Sequence, residues 1–162
     1  MRLNLNDIVG RPGAKKPFAF SLDVQDTDSC QMHAPFAVSG QVANIAGALE
    51  LTGTIAVSMT CTCDRCAIPF TVEHDLPVIA HLAETLTDEE HTEIFLLDGG
   101  AIDLDEVCNT AFVLDMDPKV ICRDDCAGLC ISCGANLNEG SCNCKREVDP
   151  RLAALQQFFD KE

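Results

Sequence analysis

Residues 49–66 read LELTGTIAVSMTCTCDRC and join the two patterns on which the fold depends. From Leu49 to Cys63 apolar residues alternate with polar or small ones, which is the period of a strand with one buried face. Gly53, in the middle of this run, indicates a bend in a long strand. The stretch ends in a C-x2-C turn formed by Cys63 and Cys66, a spacing that lets two sulfurs meet at one metal ion. The sequence therefore predicts a long strand that leads directly into half of a metal site.

Strand patterns continue on both sides of this stretch, and helical spacing comes late in the chain. Residues 3–5, 18–24, 36–42, 70–76 and 94–97 read as strands. Residues 104–112 have helical spacing behind Asp103 or Asp105 as a cap, with Pro118 as the stop. A second helix is expected from Pro150, with an apolar stripe of Leu152, Leu155, Phe158 and Phe159. We expect an α+β fold with a curled, barrel-like antiparallel sheet, two helices in the C-terminal half and a cysteine-rich zinc knuckle.

The length of 162 residues suits one domain. We expect residues 1–118 to form the sheet core with one helix. Residues 119–162 would then supply the cysteine-rich zinc-binding segment and a C-terminal helix packed on the same domain. The chain has no apolar run of the roughly 18 residues that a membrane span needs, and its start lacks the apolar core of a signal peptide. A cytoplasmic protein without a membrane contact is the expectation.

The charge of the chain argues against broad nucleic-acid binding. Only 11 Lys and Arg stand against 26 Asp and Glu, for a formal net charge of -15. A duplex binder gains affinity by neutralising phosphates, which this chain is poorly equipped to do. Between Cys66 and Pro118 there is no Lys or Arg among 13 acidic residues. This acidic stretch indicates either a solvated face or a docking surface for a basic partner.

The second group of cysteines lies near the end of the chain. Residues 122–134 read CRDDCAGLCISCG and residues 142–144 read CNC, with Asn136, Asn138 and Gly140 as turn formers between them. Zinc in a structural site takes four tetrahedral ligands, and cysteines in a reducing compartment pair with metal more readily than with each other. The first predicted site consists of Cys130, Cys133, Cys142 and Cys144, with Cys126 as an alternative to one of the last two. The second consists of Cys63, Cys66, Cys122 and Cys126.

The remaining cysteines and the histidines receive no functional role. Cys61 and Cys108 occupy apolar faces, where a thiol usually acts as a small buried hydrophobe, and Cys30 lies in a polar stretch. The histidines are scattered among polar or alternating residues, so we expect none of them to bind metal: His33, His74, His81 and His91.

Three motifs together carry a family resemblance: Cys63-Asp-Arg-Cys66, the tail from Cys126 to Asn138, and the closing Asp149-Pro150-Arg151. They resemble the YceD family, which is named for large ribosomal RNA subunit accumulation and occurs in bacteria and chloroplasts. The resemblance covers essentially the whole chain. It implies a role in the synthesis, processing or stability of the large-subunit (23S) ribosomal RNA. It implies no catalytic mechanism.

The expected function is therefore that of a non-catalytic, zinc-bearing ribosome-biogenesis factor. Its acidic stretch, residues 84–117, would engage a basic ribosomal protein or rRNA-processing factor, and its basic start, residues 11–16, would make at most a weak or indirect rRNA contact. No small-molecule substrate is inferred. One alternative is an enzyme, either a thiol oxidoreductase acting through Cys63 and Cys66 or a zinc hydrolase. Another is a zinc-dependent RNA-binding module, although aromatic stacking residues are missing near the cysteines.

Overall fold

The computed structural model describes residues 1–85 and 94–144. Its elements are, in chain order, β1 (Arg2–Asn4), α1 (Asn6–Val9), β2 (Lys15–Leu22), β3 (Cys30–Met32), β4 (Phe36–Ile45), β5 (Ala48–Thr62), β6 (Pro69–Ala83), β7 (Ile94–Leu96), β8 (Ala101–Asp103) and α2 (Leu104–Asp115). The α+β class with a largely antiparallel sheet is confirmed. The predicted helix after Pro150 lies outside the described residues.

The main sheet is open, with the strand order β2-β4-β5-β6-β7. Adjacent strands in this sheet are antiparallel, except that β7 is parallel to β6. The short β3 pairs with β5 beyond the end of β4. In the described part of the chain β2 and β7 lie at opposite ends and are not paired with each other, so the expected barrel-like sheet is wrong. Closure depends on pairing between the two end strands, which no local alternation of residues encodes.

The β5–β6 hairpin is the longest part of the sheet, and its register runs without a break from Leu49↔Leu82 to Thr62↔Pro69. Inside the sheet Gly53 lies opposite Gly40 on β4. A Cβ atom on Gly40 would come within 2.7 Å of Cζ of Phe18, so glycine at this position leaves room for the Phe18 ring. The turn of the hairpin carries the first C-x2-C pair.

Helix α2 covers one face of the sheet, as the late apolar spacing predicts. Asp103 is its N-cap, and the Asp103 carboxylate accepts a hydrogen bond from the Asp105 N–H at 3.0 Å. Phe112 packs its ring 5.5 Å from that of the fully buried Phe36. Within residues 1–85 and 94–144, no helix has the length and apolar character that a membrane crossing would need.

Cys30 and Cys61 form a disulfide, so the expectation that both are ordinary free thiols is wrong. Cys30 lies in β3 directly opposite Cys61 of β5, and both side chains are buried. The sequence signal for this pair is weak because β3 has only three residues and follows a polar stretch. The chain has 11 cysteines, and an odd number cannot all pair with one another, but this does not exclude a single pair.

Candidate metal centre

The first C-x2-C turn lies between β5 and β6 and has a defined backbone geometry. The Ala67 N–H donates to the Cys63 carbonyl at 2.8 Å, and the Cys63 N–H donates to the Ile68 carbonyl at 3.0 Å. Ala67 has a φ of 55°, in the left-handed region that a side chain disfavours. This turn brings the Cys63 and Cys66 sulfurs to the same side.

The second C-x2-C turn repeats this geometry in a different part of the chain. The Gly134 N–H donates to the Cys130 carbonyl at 2.8 Å, and the Cys130 N–H donates to the Ala135 carbonyl at 2.8 Å. Gly134, which follows Cys133, has a φ of 73°. The chain thus contains two copies of one knuckle, with alanine in one copy at the position that glycine occupies in the other.

The structure brings the predicted ligands together in two groups, which we call site one and site two. Site one contains Cys63, Cys66, Cys122 and Cys126, and site two contains Cys130, Cys133, Cys142 and Cys144. In each group the four sulfurs lie within 4.8 Å of one another. Site one is thus the second site predicted from the sequence, and site two is the first. Cys126, which the sequence allows in place of Cys142 or Cys144, lies in site one.

The spacing of the sulfurs in site one fits zinc. A tetrahedral zinc with Zn–S bonds of about 2.3 Å places its sulfurs about 3.8 Å apart. The Cys63 and Cys126 sulfurs are 3.9 Å apart, and the Cys66 and Cys122 sulfurs are 3.7 Å apart. Four thiolates form a soft donor set that suits zinc and leaves no open position for a substrate.

The two residues inside the first knuckle hold the second half of site one in place. Asp64 and Val120 exchange two hydrogen bonds of 2.8 Å, one through the Asp64 N–H and one through its carboxylate. Nη1 of Arg65 donates to the carbonyls of Asp124 and Cys126, both at 3.2 Å. These roles of Asp64 and Arg65 were missed by sequence reasoning, and their position between two predicted ligands was the available signal.

Site two is the more exposed of the two. Cys133 and Cys144 are exposed and Cys130 and Cys142 are half-buried, whereas three of the four cysteines in site one are buried. A thiolate cluster at the surface is more accessible to chelators and oxidants than a buried one.

Asn138 connects the two sites. It lies in the loop between Cys133 and Cys142, and its Nδ2 donates to the Cys126 sulfur of site one at 3.5 Å. Its Oδ1 accepts from the Ala127 N–H at 2.8 Å and from Nη2 of Arg123 at 2.7 Å. The loop that completes site two therefore supplies a hydrogen bond to a ligand of site one.

The thiol pKa values differ within each site. Burial opposes the thiolate of Cys63, but N–H groups of Cys122, Cys66 and Arg65 outweigh it and lower the pKa of Cys63 to about 6. N–H groups of Ser132 and Cys133 lower the pKa of Cys130 to about 6. Burial, followed by the neighbouring Cys63 thiolate, raises the pKa of Cys122 to about 12. Each site thus holds a ready thiolate from which metal binding can start.

The other candidates lie outside both sites. Cys108 is buried in α2, and burial raises the pKa of its thiol to about 11. His33 contacts the hydroxyls of Ser58 and Thr60, and Nε2 of His74 lies 3.0 Å from the Asp115 carboxylate. Among the described residues, no histidine takes part in either cysteine group. His91 lies outside the described residues.

Comparison with known proteins agrees with these motifs. The family model described as "Large ribosomal RNA subunit accumulation protein YceD" matches residues 51–159, which include all eight clustered cysteines. The chain belongs to the YceD family.

Two relatives illustrate the range of the YceD family. An uncharacterized protein of Mycobacterium tuberculosis is 29% identical over 126 residues, which cover 75% of this chain and 61% of the relative. The large ribosomal RNA subunit accumulation protein YCED homolog 1, chloroplastic, of Zea mays is 28% identical over 170 residues, which cover 83% of this chain and 57% of that protein. The chain thus spans about 60% of the length of these YceD relatives. No solved structure matches the chain.

Proposed function

We propose that this protein is a non-catalytic ribosome-biogenesis factor that supports the synthesis, processing or stability of large-subunit (23S) ribosomal RNA. Membership of a family named for large ribosomal RNA accumulation is the observation that carries the proposal. The relative from Zea mays has the same words in its name. The proposal includes a cytoplasmic location, where ribosomes assemble.

The proposal gives the two cysteine sites a structural role. Each would hold one Zn²⁺ through four thiolates, and such closed sites contribute to folding instead of activating a water molecule. Site one would attach residues 122–126 to the turn of the β5–β6 hairpin, and site two would fold the loop that carries Asn138. Bound zinc would supply no reaction step in this role.

The partner would be a basic ribosomal protein or rRNA-processing factor. The net charge of -15 supports a protein partner over direct phosphate contacts. Four thiolates around one Zn²⁺ add further negative charge to each site. Complementary charge would mainly speed and orient the encounter with the partner.

The test combines gene deletion with complementation. Deletion should lower the amount of 23S ribosomal RNA relative to 16S and cause large-subunit precursors to accumulate in sucrose gradients, and the intact chain should restore both. Unchanged ribosome profiles and unchanged 23S levels in the deletion strain would contradict the proposal.

A thiol oxidoreductase acting through Cys63 and Cys66 is the alternative to a structural metal site. The lowered pKa of Cys63 is compatible with either role. The presence of Cys122 and Cys126 beside the pair supports metal binding, because a dithiol enzyme needs an accessible sulfur and these are largely buried. Native mass spectrometry should find two zinc ions per chain, and a metal-free folded chain with two rapidly titrating thiols would support the enzyme instead.

A further inference from the structure

The strand β6 has an open edge along most of its length. It pairs with β5 from Pro69 to Leu82, whereas its other edge pairs with β7 only over His81–Ala83. Among the described residues, positions 69–80 of β6 therefore have a strand on one side only. An unpaired edge offers backbone N–H and C=O groups to another strand.

The register shows which backbone groups face this open edge. The Ala83 carbonyl accepts from the Leu97 N–H at 2.8 Å on the β7 side. Backbone groups of alternate residues point to the same edge of a strand, so the odd-numbered residues of β6 face the open side. Asp75 and Ile79 thus offer both a donor and an acceptor there. Pro77 between them offers only an acceptor, because proline has no N–H.

An apolar groove lies beside this edge. It has a volume of about 370 Å³ and is lined by Val78 and Ala80 of β6, Phe95 of β7, and Val107, Ala111 and Leu114 of α2. The Leu114 side chain at this groove is 80% exposed, and Ile79 on the opposite face of β6 is 71% exposed, so large apolar side chains lie uncovered on both faces beside the open edge. A strand added to the edge of β6 would direct every second side chain between the sheet and α2.

The charges around the groove favour a basic occupant. Glu73 and Asp75 are exposed on the opposite face of β6, where the other side chains of an added strand would lie. Helix α2 has no basic residue in its last turn, so the negative end of its dipole is not neutralised there by its own side chains. Asp115, the last residue of the helix and the neighbour of Leu114 in the chain, adds a carboxylate at this end, where Nε2 of His74 lies 3.0 Å from it.

We infer that the β6 edge and the groove beside α2 bind an extended segment of a basic partner protein by strand addition. The segment alternates apolar residues, which contact Leu114 and Ala111, with Lys or Arg, which lie beside Glu73 and Asp75. Backbone hydrogen bonds to Ile79 and Asp75 fix its register. This inference rests on the proposed function for the basic class of the partner, and it adds the place and the mode of binding.

A synthetic peptide tests the inference on the full chain. The probe is a capped peptide of about twelve residues, the length of the open edge, with alternating Lys and Val. The control has the same composition with the lysines and valines in two blocks. The alternating peptide should bind and slow hydrogen exchange of the Ile79 and Asp75 amides, and the block peptide should not. Equal binding of the two peptides would overturn the inference, because it would show attraction by charge alone.

Two substitutions at the edge give opposite expected results. Ile79→Pro removes an edge donor and should weaken peptide binding about threefold to tenfold, the usual value of one hydrogen bond. Pro77→Val adds a donor at the edge and should strengthen binding by a similar factor. Ile79→Thr keeps the N–H and is the matched control, and thermal unfolding of each variant verifies the fold. Unchanged affinity of a folded Ile79→Pro variant would refute strand addition.

Two further outcomes would contradict binding of a basic partner at this edge. If the intact chain dimerises in sedimentation, loses the dimer in Ile79→Pro and fails to bind the peptide, then a second copy occupies the edge and the inference is wrong. If deletion of the gene disturbs ribosome profiles but the Ile79→Pro variant restores them fully, the docking site is refuted while the proposed function stands. Normal profiles in the deletion strain would contradict the proposed function without affecting peptide binding.

Discussion

The two metal sites should differ in how much they stabilise the sheet. Site one joins positions of the chain that are far apart, since Cys63 and Cys122 are separated by 59 positions. In the chain-entropy description of a cross-link, closing such a loop stabilises the folded state by about 4 kcal/mol. In site two only residues 134–141 separate Cys133 from Cys142, and the same description gives about 2.5 kcal/mol.

The substitutions Cys126→Ser and Cys142→Ser test this difference. Cys126→Ser should lower the free energy of unfolding of the sheet by up to about 4 kcal/mol, the full value applying when the three remaining thiolates no longer hold zinc and the loop between Cys63 and Cys122 opens. Cys142→Ser should reduce it by less and leave the amide spectrum of the sheet intact. Cys108→Ala removes a buried thiol outside both sites and is the control for the loss of a cysteine.

The measurement is urea unfolding followed by circular dichroism, with zinc content determined for each variant. Equal destabilisation by Cys126→Ser and Cys142→Ser would refute the dependence on loop length. A Cys126→Ser variant that is as stable as the intact chain would refute the structural role of site one altogether.

Three further predictions concern the knuckles and their surroundings. Arg65→Met should weaken zinc binding at site one by about tenfold or more in competition with a chelator, because it removes the hydrogen bonds to the carbonyls around Cys126; unchanged affinity would show that Arg65 has no positioning role. Ala67 and Gly134 both have a positive φ, which a side chain disfavours. Ala67→Gly should therefore raise the free energy of unfolding by about 0.5 to 1 kcal/mol. Gly134→Ala should lower it by a similar amount through the backbone alone, because the added Cβ would meet nothing within 4 Å. In the metal-free protein the pKa values of Cys63 and Cys130 are lowered to about 6, so these two thiolates persist at neutral pH and are lost as the pH falls through that value. The rate at which the metal-free protein takes up zinc should therefore fall as the pH drops through about 6, and an uptake rate that does not change around this pH would contradict the prediction.

Local patterns predicted much of this fold because they depend on short-range geometry. The alternation in residues 49–63 corresponds to β5, and the apolar spacing after Asp103 corresponds to α2. The grouping of the cysteines was also accessible, because a C-x2-C turn imposes convergence of two sulfurs regardless of the rest of the chain. The structure then assembles the same two groups of four that the spacing predicts.

Features that depend on distant residues were not accessible in this way. The disulfide requires Cys30 of a three-residue strand to lie opposite Cys61, and this register depends on how β3 follows the end of β4. The open sheet reflects the absence of pairing between β2 and β7 in the described residues, which alternation within a strand does not specify. The contact of Arg65 with Asp124 joins segments 59 positions apart and has no sequence signature of its own.

The position of Asn138 makes the two metal sites thermodynamically dependent on each other. Its side chain donates to a ligand of site one from within the loop that site two closes. If each site takes up one zinc ion, binding at either site would favour the loop conformation that the other site uses, and by linkage the advantage would be equal in both directions. Chains with one ion would then be less populated than two independent sites allow, and occupancy would rise more steeply with the concentration of free zinc.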